Sequence, residues 1–449
     1  MYLTRLRAVP SFALLPALAA GALGCGQRDR TPAEDSASAR VTGSAPDREA
    51  PGITVAEGFK ATVLADKIGS ARHAAVTPSG DVYVNTWRSP YDTSRAAPAG
   101  GYVVAIRDSN RDGRADVIQR FGASSESGSR GGTGIALQGN ALYVESDSSI
   151  LRYRLTPGEL VPSGSPDTIV RGLHTVGGHP MHPIAVDAKG NLFVNVGSDT
   201  NACQEQDRQT ESKGIDPCKE LATRGGIWRF SSTRTGQRFG PAARYATGIR
   251  NSNPAINPHD GSLYATQHGR DQLGQNWPKL YDWKQSANLP SEVLLKVDQG
   301  ADFGWPYCYY DPGQKRLVLA PEYGGDGKRV GRCGQKRGPV AVFPAHWAPN
   351  SVAFADSGAF IAFHGSWNRS PEPQEGYKVV FQPLADGKPA GDFRVLADGF
   401  AGKELQPGTA QHRPAGVAIA PSGGVIITDD QRGRVWLVSP ADDGSGSGR

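Results

Sequence analysis

Three histidines lie close together in one short segment of the chain: His174, His179 and His182. An imidazole titrates near neutral pH, which suits it to take a proton from a hydroxyl group during catalysis. Prolines on both sides of Met181 exclude the helix that an HExxH zinc site needs. We therefore predict a loop that presents a general base, and the alternative is a set of structural or solvent-exposed histidines.

Two further segments place a cation beside a polar or cyclic neighbour, namely Arg250-Asn251 and Arg413-Pro414. A guanidinium next to a carboxamide can hold an anionic or carbonyl ligand. The alternative is an arginine that ties neighbouring structural elements together. The segment Gln267-His-Gly-Arg-Asp271 also contains a glycine, which would let the backbone come close to a ligand.

A third pattern is typical of calcium loops and lies in residues 108–116. Its oxygen-bearing side chains stand at loop positions 1, 3, 5 and 9, with Gly113 at position 6, and they are Asp108, Asn110, Asp112 and Asp116. Calcium prefers such hard oxygen ligands, and the glycine permits the sharp turn that gathers them. No acid follows at position 12, so a hairpin of Asx turns without a metal is the alternative.

These candidate residues must be positioned by strands, because one pattern of a glycine-containing turn followed by an alternating apolar strand recurs along the chain. The pattern occurs six times, at the turn residues Gly80, Gly139, Gly190, Gly261, Gly358 and Gly423. This repetition predicts an all-β protein, a six-bladed β-propeller over residues 52–440, and the alternative is a pair of β-sandwiches. The long interval between Gly261 and Gly358 predicts an insertion that walls a site on one face.

Composition supports the same fold class and excludes several functions. The 449 residues include 57 glycines and 33 prolines, which disfavours long helices, and the hydrophobic fraction of 38% disfavours disorder throughout. A net charge of +5 is too small to indicate a nucleic-acid partner. The sequence has no G-x-S-x-G, no phosphate-binding glycine loop and no CxxCH motif, so the usual esterase, nucleotide and haem signatures are missing.

The N-terminus predicts export. Two arginines precede an apolar run that ends at Gly24-Cys25, so residues 1–25 read as a lipoprotein signal peptide with Cys25 as the lipid anchor. An ordinary signal peptide cleaved elsewhere is the alternative. Residues 26–51 read as a flexible linker and 441–449 as a disordered tail, and the expected location is periplasmic or in the cell envelope.

Four cysteines remain after Cys25, which suits disulfides in an exported protein. We predict the local pairs Cys203–Cys218 and Cys308–Cys333, because each pair brackets a polar loop that a crosslink would constrain. A zinc site is the weaker alternative, since no CxxC or nearby histidine pair accompanies them.

Together these segments resemble the soluble glucose/sorbosone dehydrogenase family, and within it the bacterial sorbosone-dehydrogenase-like branch. The resemblance runs from about Ile53 to Val438 and is carried by GIRN at 248–251, GADFGWPYCYYD at 300–311, HGSWNR at 364–369 and RPAGVAIAPSG at 413–423. It implies a propeller that uses pyrroloquinoline quinone (PQQ) and calcium.

The resemblance also implies roles for individual residues. His179 would be the catalytic base, Arg250 and Asn251 would hold the quinone oxygens, and Arg250 would also stabilise charge on the reduced cofactor. Arg413 would bind a carboxylate of PQQ, and His268, which replaces a glutamine of the family, joins the cofactor-binding set.

Other positions depart from the family pattern. Backbone carbonyls at Gly269 and Arg270 would bind calcium, although Arg270 replaces the usual proline. Ala415 stands where glucose-oxidising relatives have a second arginine. Arg369 and Arg270 are the cations that would compensate for this loss.

The resemblance therefore implies a PQQ-dependent oxidoreductase that oxidises an aldose or sugar aldehyde and passes electrons to a respiratory acceptor, a cytochrome or a quinone. Two alternatives stay open. One is a non-catalytic carbohydrate-binding propeller that has lost the quinone. The other is a calcium-dependent sugar lactonase, which would need a Glu/Asn/Asp metal cluster in the central channel.

Overall fold

The computed structural model describes residues 51–88, 100–122 and 131–441. The predicted signal peptide with Cys25, most of the predicted linker and the predicted tail lie outside the described residues. Within the described part, no helix is long and apolar enough to span a membrane.

The chain folds as a six-bladed β-propeller, which confirms the predicted all-β fold class. A two-residue strand comes first, β1 (Thr54–Val55), followed by β2 (Phe59–Ala65). The first complete blade contains β3 (Ala71–Val76), β4 (Val82–Thr86), β5 (Val103–Arg107) and β6 (Val117–Phe121). The second contains β7 (Ile135–Gln138), β8 (Ala141–Ser146), β9 (Ser149–Arg154) and β10 (Asp167–Arg171).

The third blade contains β11 (Ile184–Val186), β12 (Asn191–Val196), β13 (Gly226–Ser231) and a fourth strand that comes after β14 (Gln237–Arg238), namely β15 (Arg244–Thr247). The short strand β14 pairs in parallel with β10 of the second blade. The fourth blade begins with β16 (Ser252–Ile256) and β17 (Leu263–Gln267), and continues after the helices α1 (Leu273–Asn276) and α2 (Trp283–Asn288) with β18 (Glu292–Lys296).

A separate hairpin of β19 (Cys308–Asp311) and β20 (Arg316–Leu319) precedes the last strand of the fourth blade, β21 (Ala341–Phe343). The fifth blade contains β22 (Pro349–Ala355), β23 (Gly358–Phe363), β24 (Lys378–Ala385), and, after the short β25 (Lys388–Pro389), β26 (Arg394–Asp398). The last blade contains β27 (Pro414–Ile419), β28 (Val425–Asp429) and β29 (Val435–Pro440), and β2 is its outer strand.

Each recurring turn of the sequence joins the first and second strands of one blade. Five of the six turn glycines have positive φ, between +56° at Gly139 and +98° at Gly80, a region that favours glycine. Gly358 differs, because it is the first residue of β23 and lies against the neighbouring strand, where a Cβ would be 2.2 Å from the carbonyl oxygen of Gln382. There the glycine permits a close strand contact instead of a turn.

The hydrophobic core lies between neighbouring blades. One cluster, for example, joins Tyr143 and Ile169 of the second blade to Leu192 and Trp228 of the third. Side chains that alternate along each strand therefore bury both faces of a blade, which leaves the strand ends and their loops to carry polar groups.

The predicted insertion lies between Gly261 and Gly358 and holds both helices and the separate hairpin. Both predicted disulfides are confirmed: Cys203–Cys218 closes a loop over a sequence separation of 15 residues, and Cys308–Cys333 over 25. The second bond ties the β19–β20 hairpin to the loop that follows it.

Removing the Cys308–Cys333 crosslink is expected to lower the free energy of unfolding by about 3.5 kcal/mol, because the unfolded chain regains the entropy of a 25-residue loop. Urea unfolding of the Cys308→Ala/Cys333→Ala variant measures the loss. The matched Cys203→Ala/Cys218→Ala variant should lose about 3 kcal/mol, in line with its shorter loop. An unchanged unfolding midpoint in both variants would contradict the expectation.

Candidate functional site

The predicted site residues meet at one end of the propeller. Arg250 and Asn251 directly precede β16, Arg413 directly precedes β27, and His268 directly follows β17. First strands of the blades begin at this end and second strands finish there. The sequence therefore places these side chains around the mouth of the central channel, which the first strands line.

His179 has the geometry of a base. Its Nδ1 lies 2.8 Å from the backbone carbonyl oxygen of Ser198 and 3.1 Å from the Ser198 hydroxyl, which itself donates to Thr200 O at 2.7 Å. A carbonyl oxygen can only accept a hydrogen bond, so Nδ1 carries the proton. The lone pair is therefore on Nε2, the nitrogen that can take a proton from a ligand.

Glycine at position 197 brings His179 and Asn251 together. A Cβ on Gly197 would lie 2.6 Å from the Cβ of His179 and 3.3 Å from Oδ1 of Asn251. Any side chain at this position would push the imidazole away from its place. The loop after β12 thus sets both the proton position and the location of His179.

Arg250 belongs to a buried network with Asp271. Its guanidinium donates to Asp271 Oδ2 at 2.9 Å, to Asn201 O at 3.2 Å and to Gly269 O at 2.9 Å. Arg208 donates to the same Asp271 oxygen at 2.8 Å. Burial alone would raise the pKa of Asp271, but the charges of Arg250 and Arg208 hold that pKa far below its usual range.

A second network contains His364, Asp430, Arg72 and Arg413. Nε2 of His364 lies 2.8 Å from Asp430 Oδ1, and Arg72 pairs with Asp430 Oδ2. Arg413 donates to the carbonyl oxygens of His364 at 3.1 Å and Gly365 at 3.2 Å. Arg72 therefore pairs directly with Asp430 at the channel mouth, and Arg413 acts on the same carboxylate through its charge alone.

His268 lies between the two networks. Burial, together with the positive charges of Arg250, His364 and Arg72, lowers its pKa to about 3. Burial and the charge of Arg250 likewise lower the pKa of His179 to about 3. The structure thus brings His179, Arg250 and His268 into one electrostatic neighbourhood, to which Arg413 is joined through His364.

Taken together, the networks carry more positive than negative charge. The four cations are Arg72, Arg208, Arg250 and Arg413, and the three carboxylates are those of Asp271, Asp430 and Asp207, which lies 3.7 Å from Arg208. Two buried polar atoms have no hydrogen-bond partner, Nε2 of His268 and Oδ1 of Asn368. Nδ2 of Asn368 holds Asp271 at 2.9 Å. The His268 nitrogen beside the cations suits a polar, anionic ligand, whereas the Asn368 oxygen can only accept a hydrogen bond from a donor group of that ligand.

The other two histidines of the His174–His182 segment have different surroundings. His182 is fully buried, and both its backbone N–H and its Nδ1 contact Oε1 of Glu145, at 2.8 and 2.9 Å. The ring of His174 stacks edge-on against Phe239 at 5.4 Å. Of the three, His179 is the one whose pKa is affected by Arg250 and His268.

The predicted calcium carbonyls of Gly269 and Arg270 have other partners nearby. Gly269 O accepts from the guanidinium of Arg250, whose positive charge would repel a cation at the same oxygen. The side chain of Arg270 points to a buried pair with Glu322 at 2.5 Å and does not supply the compensating cation that the sequence predicted. Calcium binding by the two carbonyls stays a prediction.

Arg369 has a different role from the predicted one. Its guanidinium is buried and donates to three backbone carbonyls, those of Pro373, Ala287 and Ala345. It joins the loop after β23 to helix α2, and cofactor binding by Arg369 stays a prediction.

The 108–116 loop lies at the opposite end of the propeller. Strand β5 runs antiparallel to β4, and Arg107 at its end pairs with Asp81 in the β3–β4 turn at 2.6 Å. Within the loop, Asp108 accepts from Gly113 N at 2.8 Å and Asp116 from Ser109 N at 2.8 Å. These are the Asx-type contacts of the alternative without a metal, and calcium binding by Asp108, Asn110, Asp112 and Asp116 stays a prediction.

Among the described residues, one group of three potential metal-binding side chains converges within 4.8 Å: Cys203, Cys218 and Glu220. The two cysteines form a disulfide, which leaves no thiolate for a metal. The carboxylate cluster that the lactonase alternative needs is not found in the part of the chain that the structure describes.

Sequence reasoning missed Arg72 and Asp430, and treated Asp271 and His364 only as neighbours of other motifs. Arg72 is the one formally charged residue of the first strand β3, whose other polar residue is His73, and Asp430 directly follows β28. A charge in an innermost strand was the available signal, because such a group must face a partner or a ligand.

One buried histidine and three half-buried ones make the stability of the fold sensitive to acid. Burial lowers the pKa of His73 and His364 to about 4, and that of His179 and His268 to about 3. Below about pH 6.5 these histidines therefore bind protons in the unfolded chain but stay neutral in the folded state. Each histidine removes up to about 1.4 kcal/mol of stability per pH unit as the pH falls from 6.5 towards 4.

Urea unfolding at pH 7.5, 6.5, 5.5 and 4.5 measures this loss. Burial raises the pKa of Glu292 to about 8, so this carboxyl offsets about one of the four histidines over the same pH range. Since Nε2 of His73 donates to the carbonyl of Asn350, the variant His73→Gln keeps a donor without titrating, and its slope should be smaller by up to about 1.4 kcal/mol per pH unit. A free energy of unfolding that is flat between pH 6.5 and 4.5 would contradict the expectation.

The family of this chain follows from its sequence. A family model described as TrAA12-like matches residues 53–441. The chain belongs to the TrAA12-like family. The match covers all six blades, and the expected resemblance to soluble PQQ-dependent sugar dehydrogenases is confirmed at the level of the family. The sorbosone-dehydrogenase-like branch stays a prediction.

This TrAA12-like protein is also similar in sequence to individual curated proteins. It is 33% identical over 218 residues to a pyrroloquinoline quinone-dependent pyranose dehydrogenase of Coprinopsis cinerea, which covers 43% of this chain and 28% of the relative. The chain spans less than two thirds of the length of the curated relatives it matches.

Two solved structures share the fold. The calcium structure of a Trichoderma reesei enzyme of carbohydrate-active family AA12 has a TM-score of 0.69 at 17% identity, over 87% of this chain and 98% of that one. The holo PQQ domain of Coprinopsis cinerea pyranose dehydrogenase has a TM-score of 0.67 at 18% identity, over 86% and 97% of the two chains. At these identities the likeness supports the architecture alone.

Proposed function

We propose that this TrAA12-like protein is a PQQ-dependent oxidoreductase that oxidises an aldose or a sugar aldehyde such as sorbosone and passes the electrons to a respiratory acceptor. The observation that carries the proposal is the pairing of a neutral His179, whose Nε2 is a proton acceptor, with a cation-rich channel mouth. The family and the named function of its Coprinopsis relative support the same chemistry.

The residues at the channel mouth fit PQQ, which carries three carboxylates. Arg72 and Arg413 would hold carboxylates, and Arg250 with Asn251 would face the quinone oxygens. His268 Nε2 and Asn368 Oδ1 are buried polar atoms without a hydrogen-bond partner in the described part of the chain, so a bound ligand could contact them. When bound, PQQ supplies an electron-poor quinone that accepts two electrons from the sugar.

The chain's own residues supply proton transfer and orientation. The Ser198 carbonyl fixes the Nδ1 proton of His179, so Nε2 can remove the proton of a sugar hydroxyl. The low pKa of His179 keeps this nitrogen unprotonated over the whole neutral range. Asp271 and Asn368 keep Arg250 in place while the charge at the site changes.

Reconstitution tests the proposal. Purified protein is mixed with PQQ, with and without Ca²⁺, and dye reduction is followed with a panel of aldoses and sorbosone. We expect PQQ binding and turnover, and faster turnover with Ca²⁺ if calcium belongs to the site. Failure to bind PQQ, together with saccharide binding by calorimetry in its absence, would favour the non-catalytic alternative. Hydrolysis of an aldonolactone without PQQ would favour the lactonase.

We also propose export and lipid anchoring through Cys25, which rest on the N-terminal sequence. Metabolic labelling with a fatty acid in a bacterial host should label the full chain and not the Cys25→Ser variant. Equal labelling of the two proteins, or no labelling of either, would overturn the anchor.

A further inference from the structure

A basic groove lies at the end of the propeller opposite His179. It has a volume of about 900 Å³ and runs between the β11–β12 turn and the loop that joins β13 to β14. Strand β12 separates the two ends, since Lys189 precedes it and Gly197 follows it, and its six residues span about 20 Å. A ligand in this groove would leave the channel mouth open.

Four cations line the groove, and all are exposed: Lys189, Arg229, Arg234 and Arg238. None of the four forms an ion pair with any residue in the described part of the chain. Arg229 and Arg234 donate to the uncharged side-chain oxygens of Gln299 and Gln237, both at 3.1 Å, and Arg229 also lies 5.5 Å from the ring centre of Tyr245. Many other arginines of the fold do pair with a carboxylate, as Arg152 does with Asp167 at 2.6 Å.

The sheet register adds a fifth cation. Strand β14 pairs in parallel with β10, and the register places Arg238 directly beside Arg171, which is also exposed. Like charges side by side on a sheet destabilise it unless an anion lies between them. Two adjacent guanidinium groups are suited to bind carboxylate or sulfate oxygens.

The carboxylates near the groove bind other groups and do not neutralise its cations. The carboxylate of Asp187 is buried and accepts from the backbone N–H groups of Lys189 at 2.9 Å and Asn191 at 2.8 Å. Asp298 pairs with Arg337. These contacts leave the cations of the groove to face solvent.

The lining also limits the class of ligand. The large exposed hydrophobic side chains of the described residues all lie outside the groove, and Phe230 within it is buried. Protein interfaces usually have an aromatic or aliphatic centre, and membrane-binding surfaces insert apolar groups. A concave, polar and cationic groove instead complements a hydrated chain of sugars that bear acidic groups.

We propose that this groove binds an acidic polysaccharide through its carboxylate or sulfate groups. The site is distinct from the channel mouth and does not depend on the proposed oxidation. Arg229, Arg234 and Arg238 make the main contacts, with Lys189 and Arg171 at the two sides. Such binding would hold the protein on an anionic glycan while the opposite end stays accessible.

Affinity measurements with two probes of matched length test the proposal: an oligogalacturonate for carboxylates and a heparin-derived oligosaccharide for sulfates. We expect binding of at least one probe at 50 mM NaCl that weakens at 500 mM, because salt screens exposed charges. The variant Arg229→Ser/Arg234→Ser/Arg238→Ser should lose roughly tenfold in affinity, since three exposed charge contacts are removed together.

A matched variant controls for net charge: Lys388→Ser/Arg394→Ser/Lys403→Ser removes three exposed cations that line no part of the groove. It should bind like the original chain. The double variant Arg234→Ser/Arg238→Ser changes loop and edge positions only, and repeats the test if the triple variant does not fold. No binding of either probe, equal loss in the control, or binding only to phosphatidylglycerol vesicles or an acidic protein would overturn the proposal.

Discussion

Replacing His179 by alanine is expected to lower kcat of the PQQ-reconstituted protein by about 10²–10⁴-fold, the usual contribution of a general base. The Ser198 carbonyl already fixes the proton on Nδ1, so the variant loses the only proton acceptor that we assign to the sugar hydroxyl. PQQ affinity should change little, because the arginines of the two networks stay in place. Stopped-flow dye reduction and a PQQ titration measure the two quantities.

Two controls make the His179 experiment specific. His259 is an exposed histidine in the turn between β16 and β17, and it pairs with Asp356. The variant His259→Ala should keep full activity. Added imidazole should restore part of the turnover of the His179→Ala variant, since it replaces the missing base in the space that the ring vacates. Unchanged kcat in His179→Ala would remove this histidine from the mechanism.

The pair of Arg270 with Glu322 gives the largest expected effect on stability. Both side chains are buried, at 4% and 0% exposure, and Glu322 also accepts from the indole N–H of Trp277 at 2.8 Å. Glu322→Ala leaves the charge of Arg270 buried without a partner, and the free energy of unfolding should fall by about 3–5 kcal/mol. Urea unfolding of the two proteins measures this loss.

An exposed pair provides the comparison. Lys279 and Glu211 lie 2.7 Å apart at the surface, and Glu211→Ala should cost less than about 1 kcal/mol. The double variant Arg270→Met/Glu322→Leu should recover much of the loss of Glu322→Ala, because it removes both buried charges. Equal small losses in Glu322→Ala and Glu211→Ala would show that the buried charge costs nothing.

The propeller could be predicted because the signal for each blade is local. A turn glycine and an alternating strand recur within a few residues, and five of the six glycines do adopt positive φ. The disulfides were predictable for the same reason, since both connect cysteines at most 25 residues apart.

The site was predicted only in part, because its contacts are made between blades. The positions of Arg250, Asn251 and Arg413 follow from the strands they precede. Arg72, however, pairs with an aspartate 358 residues away, and the sequence around Arg72 does not predict that partner.

The family resemblance predicted two arginines near the cofactor whose contacts also depend on residues distant in sequence. Arg270 finds its partner 52 residues away in the insertion, and Arg369 turns to three backbone carbonyls. A guanidinium satisfies its donors wherever buried acceptors lie closest, and loops decide this more than the strand pattern does.

The last blade unites strand β2, which comes before the first complete blade, with β29, which follows the other five blades in the chain. The ring therefore stays open until β29 has joined it, and β2 exposes an unpaired edge until then. A premature stop codon before Val435 would leave five blades and a half-built sixth, a product that quality-control proteases should remove. The pairing of β2 with β29 is thus the step that completes the disc.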